Sequence, residues 1–348
     1  MITTLRKIAH TSRLWLAQRP ATADAPFSNL KVALIADELT RACLQFECHL
    51  VDITPSNYKA ALATAQPDLL LVESAWHGFR NAWKYKIAAY PGHPLRTNKR
   101  LREVVAYARD RGIPCVFWNK EDGVHFERFI DSAALFDYIF TVDENCIARY
   151  QQLVGAHVKV NPLMFAVQPR IHYPAAQEIR FHRSCFVGSY SHHIHERRRA
   201  WQTMFFNAAS ELGVTAFDRN SSRFSRAYRY PKLPWLEVKN KVDHLDTARV
   251  YREYLVQLNV NKIEDSATMF SRRLIEVLAC GSCVVTNPSV AVERLFSDYC
   301  EVVRSEEACR EFFGRLKHGL APSDKERALA GAAYVLREHT WRHRLEEI

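Results

Sequence analysis

At 348 residues, with 48% apolar residues and only 11 glycines, the chain is long enough for two domains with separate cores and falls outside the disordered and fibrous classes. A net charge of +10 calls for an anionic partner and leaves nucleotide diphosphate, anionic membrane surface and nucleic acid all open. No apolar run approaches the roughly 18 residues of a membrane span, and Arg6, Lys7, His10 and Arg13 interrupt any signal-peptide core, so the expected location is cytoplasmic. The nine cysteines suit buried thiols better than a disulfide framework. Cys280 and Cys283 end a helix and enter a strand, the reverse of a thioredoxin-like placement.

Residues 1–19 show helical spacing, with Leu5, Ile8, Ser12, Trp15 and Leu16 on one side and Arg6, Lys7 and Arg13 on the other. Such a basic helix either packs on its domain or lies peripherally on an anionic membrane surface, on the inner face of the cell membrane. From Lys31 a βα alternation begins, with strands expected at 32–36, 49–53, 69–73, 114–118 and 137–142. Helices are expected at 58–65, 99–111, 124–135 and 144–154, which predicts a parallel, doubly wound sheet. Polar clusters follow three of the strands, where ligands of such sheets bind: Asp37-Glu38, Glu73 to His77, and Asn119 to Asp122. Glu121, Asp122 and His125 can supply a general base or hold sugar hydroxyls, and equally suit a helix N-terminus.

Three prolines and no period in 161–174 mark a linker, set at 166–178, between a domain at 28–165 and another at 179–348, with 1–27 as an extension. The second domain opens with a strand at 184–187 and a turn at Gly188, which either lets backbone approach a phosphate or is an ordinary turn. His192, His193 and His195 have metal-ligand chemistry, but Arg197, Arg198 and Arg199 follow at once and repel a cation, so no metal is expected. The basic, aromatic stretch 219–241 has the composition of a nucleic-acid or sugar-stacking surface and reads otherwise as a long solvated loop. A helix at 246–254, a strand at 255–260 and helices at 306–318 and 324–338 complete the domain.

The central stretch is 259–288. Phe270, Leu274, Val277 and Leu278 recur at helical spacing, Gly281 closes the helix, and Cys283, Val284 and Val285 form a buried strand ended by Asn287-Pro288. Arg272 and Arg273 stand at the positive end of that helix, which suits them only if an anion lies in front. Glu276 then faces hydroxyls beside the anion. The plain alternative is an Arg272–Glu276 pair one turn apart on a solvated face.

Ser271, Arg273, Glu276 and the Ala279-Cys280-Gly281 turn resemble the nucleotide-sugar signature of GT-B glycosyltransferases, in the CgeB-like (spore maturation protein) branch of the group 1 transferases. WNKEDGVHF at 118–126 and FDYIFTVDENCIARY at 136–150 are similar to the acceptor-side domain of that branch. The resemblance implies an α/β, GT-B fold, two Rossmann-like doubly wound domains facing a cleft. It implies a metal-independent transferase with a UDP- or GDP-type nucleotide-sugar as substrate and no cofactor. Arg273, with Arg272, would hold the donor diphosphate and Glu276 the ribose, while Asn261 and Ser271 touch phosphate. The acceptor, a glycan or lipid-linked precursor of surface polysaccharide, would meet Glu121, Asp122 and His125. The wider pattern has a second glutamate eight residues before Glu276, where this chain has Thr268. Two rival readings stand beside it: a sugar transferase acting on nucleic acid, motivated by 219–241, and a non-catalytic nucleotide or sugar sensor, motivated by Thr268. Nucleic acid is not the expected partner.

Overall fold

A computed structural model describes residues 25–155, 157–175 and 179–348. The basic helix expected at 1–19 lies outside them. The chain divides into two compact units, one made of residues up to Leu163 together with Arg344–Ile348, the other of Met164–His343.

The first unit is built on β1 (Lys31–Ile35), β2 (His49–Asp52), β3 (Leu69–Glu73), β4 (Cys115–Asn119), β5 (Tyr138–Thr141) and β6 (Lys159–Pro162), in the order β2-β1-β3-β4-β5-β6. Every neighbouring pair is parallel. Parallel strands need crossovers, and the helices Glu38–Leu44, Tyr58–Ala65, Lys99–Arg109, Phe126–Ala133 and Ile147–Val154 supply them. With both faces covered, β4 is buried at all five positions, and its sequence CVFWN is accordingly a run rather than an alternation. Phe117, Phe129, Phe136 and Trp83 fill this core, and the Trp83 indole N–H donates to the Ile53 carbonyl at 2.7 Å.

The second unit repeats the plan with β7 (Phe181–Gly188), β8 (Val214–Asp218), β9 (Leu236–Asn240), β10 (Tyr254–Asn259), β11 (Val284–Thr286) and β12 (Glu301–Val302), ordered β12-β11-β10-β7-β8-β9 and again all parallel. Phe186, Phe205, Phe206, Leu258 and Val285 form its core. All nine cysteines are buried thiols, so they serve packing as expected.

One expectation needs correction, and two strands were not foreseen. The stretch 219–241 is not loop throughout, because its end forms edge strand β9, whose alternation of Leu236 and Val238 with Glu237 and Lys239 is too polar to stand out. Val214–Asp218 is likewise a strand that sequence periodicity does not reveal. The proline-rich stretch begins as β6, where Pro162 is tolerated because the strand lies at the sheet edge. Beyond it Val167 pairs with Thr340 inside the second unit, so this part of the stretch is anchored.

Candidate functional site

In the first unit the polar clusters at the strand ends neutralise one another. The Lys120 ammonium sits 2.8 Å from the fully buried Glu73 carboxylate and 3.2 Å from Asp37. Glu73 also accepts from the Asp37 N–H and the Thr40 hydroxyl, both at 2.5 Å, while Asp37 accepts from the backbone of His77 and Gly78. Burial alone would lower the Lys120 pKa, but Glu73 and Asp37 outweigh it and hold the pKa above its ordinary value. These residues lock the loop that follows β3.

Asp122 is fully buried. It accepts from the Asn119 amide at 2.6 Å and from the Tyr150 hydroxyl at 2.9 Å, and burial pushes its pKa up to about 7. Glu121 and His125 are half-buried; the Glu121 N–H donates to the Asn119 side chain at 3.2 Å, and the His125 ring meets Trp76 edge-on at 5.3 Å. Beside them runs the connection 76–98, which carries four lysines and arginines and no carboxylate. Arg80, Asn81 and Tyr85 hold left-handed backbone there, at φ of 54°, 61° and 66°, a conformation that costs side-chain-bearing residues energy.

In the second unit the helix Arg272–Ala279 begins at the first of the two arginines, with Ser271 as its N-cap residue. Its apolar face is buried as its spacing requires, and Gly281 ends it at φ 66°. Arg273 turns inward. Its Nε donates to the Val187 carbonyl at 2.6 Å, its guanidinium lies 4.3 Å from the Phe186 ring centre, and its buried Nη1 finds no hydrogen-bond partner among the described residues. A Cβ on Gly188 would stand 2.7 Å from Arg273 Nη2 and 2.6 Å from the Phe186 ring. The glycine is therefore required by the approach of the guanidinium.

Two further arginines converge on the same strand end. Arg198 donates to the Ser189 carbonyl at 3.1 Å, and the Arg219 N–H donates to the Gly188 carbonyl at 2.9 Å. Burial, then mutual repulsion with Arg273, brings the Arg198 pKa down to about 10. The pKa values of Arg219 and Arg273 are lowered as well, burial first, and Arg219 is depressed further by Arg272 and Arg273. The Arg219 guanidinium thus stands in a crowded, positive neighbourhood.

Glu276 is the carboxylate of this group. Arg272 Nε donates to its Oε1 at 2.9 Å, so the i,i+4 pair forms, but on a buried carboxylate rather than on a solvated face. The Tyr251 hydroxyl donates to Oε2 at 2.9 Å. Burial would raise the Glu276 pKa; Arg272 and these neighbours outweigh it and bring it to about 2. His172 and His244 complete the enclosure, and burial lowers their pKa values to about 4 and about 3. Together with Glu276 they form the group of metal-ligand composition among the described residues, with one ligand atom from each within 4.8 Å of the others. Arg272 already occupies Glu276 Oε1, which is poor company for a cation. His192 and His193, by contrast, bond to the Arg229 carbonyl and the Ser191 hydroxyl.

Asn261 is buried and works on the backbone: its Oδ1 accepts the Ser271 N–H at 2.9 Å, and its Nδ2 reaches Thr286 Oγ1 at 2.9 Å. Thr268 is buried too, its N–H 3.3 Å from Ser266 Oγ. A cavity of about 1000 Å³ opens beside the loop after β10, with Lys262, Glu264, Asp265 and Ser289 in its wall, and Arg273 is not among its lining residues. Gly188, Asn261, Ser271, Arg272, Arg273 and Glu276 thus belong to one unit and largely to one network, while Glu121, Asp122 and His125 belong to the other. Arg198, Arg219, Tyr251, His172 and His244 were not foreseen as site residues. Arg198 stands in the helix after β7, in the Arg197–Arg199 run, and Arg219 follows β8, a strand that periodicity does not reveal, so its one sequence signal was the basic composition of 219–241.

A family model described as glycosyl transferase-like matches residues 197–348. No curated protein matches the sequence. Among solved structures, an alpha-glucosyltransferase in complex with UDP-glucose and DNA containing an abasic site matches at TM-score 0.59 and 11% identity, covering 92% of this chain and 89% of that one. Anabaena Alr3699/HepE, in complex with UDP and glucose, matches at TM-score 0.52 and 12% identity over 91% of this chain and 89% of that one. Sucrose-phosphate synthase from Thermosynechococcus elongatus matches at TM-score 0.51 and 11% identity over 89% and 77%. At such identities the likeness establishes the fold: two Rossmann-like domains of GT-B type. The family match and the fold together point to a glycosyltransferase.

Proposed function

We propose that the chain moves a sugar from a nucleotide diphosphate donor, of UDP or GDP type, to a glycan or lipid-linked acceptor in surface-polysaccharide assembly, as in the CgeB-like branch. The observation that carries this reading is the buried Arg273 guanidinium, whose Nη1 is unpartnered while Arg198, Arg219 and Arg272 crowd the same strand end. Four arginines around one carboxylate leave an excess of positive charge that a diphosphate offsets.

The chemistry follows from that charge. As the bond between the sugar's anomeric carbon and the diphosphate oxygen breaks, negative charge builds on the leaving phosphate, and fixed guanidinium groups stabilise it without reorganising. Glu276, held ionised, accepts from ribose hydroxyls. In the acceptor-side unit, Glu121 and His125 are the half-buried groups suited to an acceptor hydroxyl, and the enclosed Asp122 orients the turn that carries Glu121. The cationic connection 76–98 favours an acceptor bearing negative charge.

Titration of UDP, GDP, dTDP, CMP and ADP into wild type and Arg273→Ala, with and without chelator, tests the reading. Selective binding that survives chelator and weakens at least about tenfold in Arg273→Ala is expected, since a charged hydrogen-bond pair is worth about 1.5–3 kcal/mol. No nucleotide binding by folded wild type removes the transferase reading, and binding abolished by chelator removes its metal independence.

A further inference from the structure

Phe224 is 99% exposed, which is rare for a residue that size in a described loop. It stands between Arg223 and Arg226, with Arg229 and Lys232 further along, all four exposed, and residues 219–236 contain no carboxylate. The loop is built rather than loose. The His192 N–H donates to the Ala227 carbonyl at 2.9 Å, His192 Nε2 lies 3.0 Å from the Arg229 carbonyl, and the His193 and Tyr228 rings meet edge-on at 5.1 Å. These contacts tie it to the loop after β7, which presents Ile194, itself 40% exposed. Both loops leave the carboxyl ends of adjacent parallel strands, β7 and β8.

We infer that this end of the second unit is a membrane-docking surface, in which Phe224 and Ile194 enter the interface of an anionic bilayer and Arg223, Arg226, Arg229 and Lys232 meet its phosphate headgroups. An apolar tip inside a cationic collar fits that boundary, because the side chain needs hydrocarbon where the guanidinium groups need phosphate. Single-stranded nucleic acid fits less well. It needs a succession of aromatic faces, yet Tyr230 is buried in the core, Tyr228 is engaged by His193 and Arg223, and Trp235 packs on the core, which leaves Phe224 alone to stack. The surface differs from the basic segment 1–19 and does not depend on the proposed transfer chemistry.

The test is sedimentation of the full chain with vesicles of phosphatidylcholine alone or mixed with phosphatidylglycerol, for wild type, Phe224→Ser, and Arg226→Ser with Arg229→Ser. Because residues 1–24 are basic too, the readout is the difference between variants. Binding to the anionic vesicles only is expected, weakened about tenfold by Phe224→Ser. Each arginine removed should lower the partition about fivefold, and nucleotide binding should stay at the wild-type level in every variant. Equal partition of Phe224→Ser and wild type overturns the proposal, as does partition into neutral vesicles equal to that into anionic ones. Binding of a single-stranded oligonucleotide that Phe224→Ser weakens more than it weakens vesicle binding assigns the surface to nucleic acid instead.

Discussion

Arg273 and Gly188 are 85 positions apart in the numbering yet make a single feature, because the guanidinium can reach the Val187 carbonyl only where the next residue lacks a side chain. Sequence left Gly188 open between a backbone–phosphate approach and an ordinary turn; the structure adds that its missing side chain makes room for the Arg273 guanidinium. A Gly188→Ala chain has to displace either Arg273 or the fully buried Phe186. Overpacking of this kind costs about 1–3 kcal/mol. We expect a lower denaturation midpoint and a weaker nucleotide affinity together, measured by chemical denaturation and by titration. A stable Gly188→Ala protein with unchanged affinity would separate the glycine from Arg273.

At the scale of elements, the helix Arg272–Ala279 is held from behind by Pro322–Glu338. Pro322 suits the first turn of that second helix, and the Asp324 carboxylate accepts the Ala321 N–H at 2.9 Å and two bonds from Arg315. The two helices pack tightly at Gly331, where a Cβ would lie 2.9 Å from Leu278 and 3.0 Å from the Tyr299 Cβ. In an exposed helix a glycine would be a weakness; here it sets the spacing. Gly331→Val is therefore expected to lower stability by about 2 kcal/mol, with loss of nucleotide affinity as the Arg272–Ala279 helix shifts. A thermal scan checks it, and a raised midpoint would mean the two helices have slack between them.

At the scale of the whole molecule, the two units respond to acid in opposite directions. In the second, His172 and His244 stay neutral down to about 4 and about 3, whereas in the unfolded chain they take up protons near 6.5. The unfolded state then binds more protons, so stability present above 6.5 is lost as pH falls from there toward 4. In the first, Asp122 keeps its proton up to about 7 against 3.8 when unfolded, so its contribution is greatest below 3.8 and declines as pH rises toward 7. Acidification should pull the two unfolding transitions apart, the second unit melting earlier. His172→Gln with His244→Gln should flatten the acid loss, and Asp122→Asn should remove the opposite trend; parallel pH profiles in all three proteins would sink this account.

The alternation of apolar runs with helical periods was enough to predict a doubly wound α/β sheet in the first half, because burial on both faces of a parallel strand leaves its mark on consecutive residues, as in CVFWN, whereas a second such domain was implied only by the resemblance. The helix at 270–279 and its two arginines were legible for the same local reason. Edge strand β9 and the short β8 were not, since an edge strand is half solvated and its pattern merges with that of a loop. Nor could spacing bring Arg198 and Arg219 to Gly188, or enclose Glu276 between Arg272, Tyr251 and two histidines, or bury Asp122 away from solvent while leaving Phe224 fully in it. Secondary structure is written in short-range periodicity. The charge, burial and pKa of a site are sums over neighbours that meet only when the chain has folded, and those the tertiary structure decided.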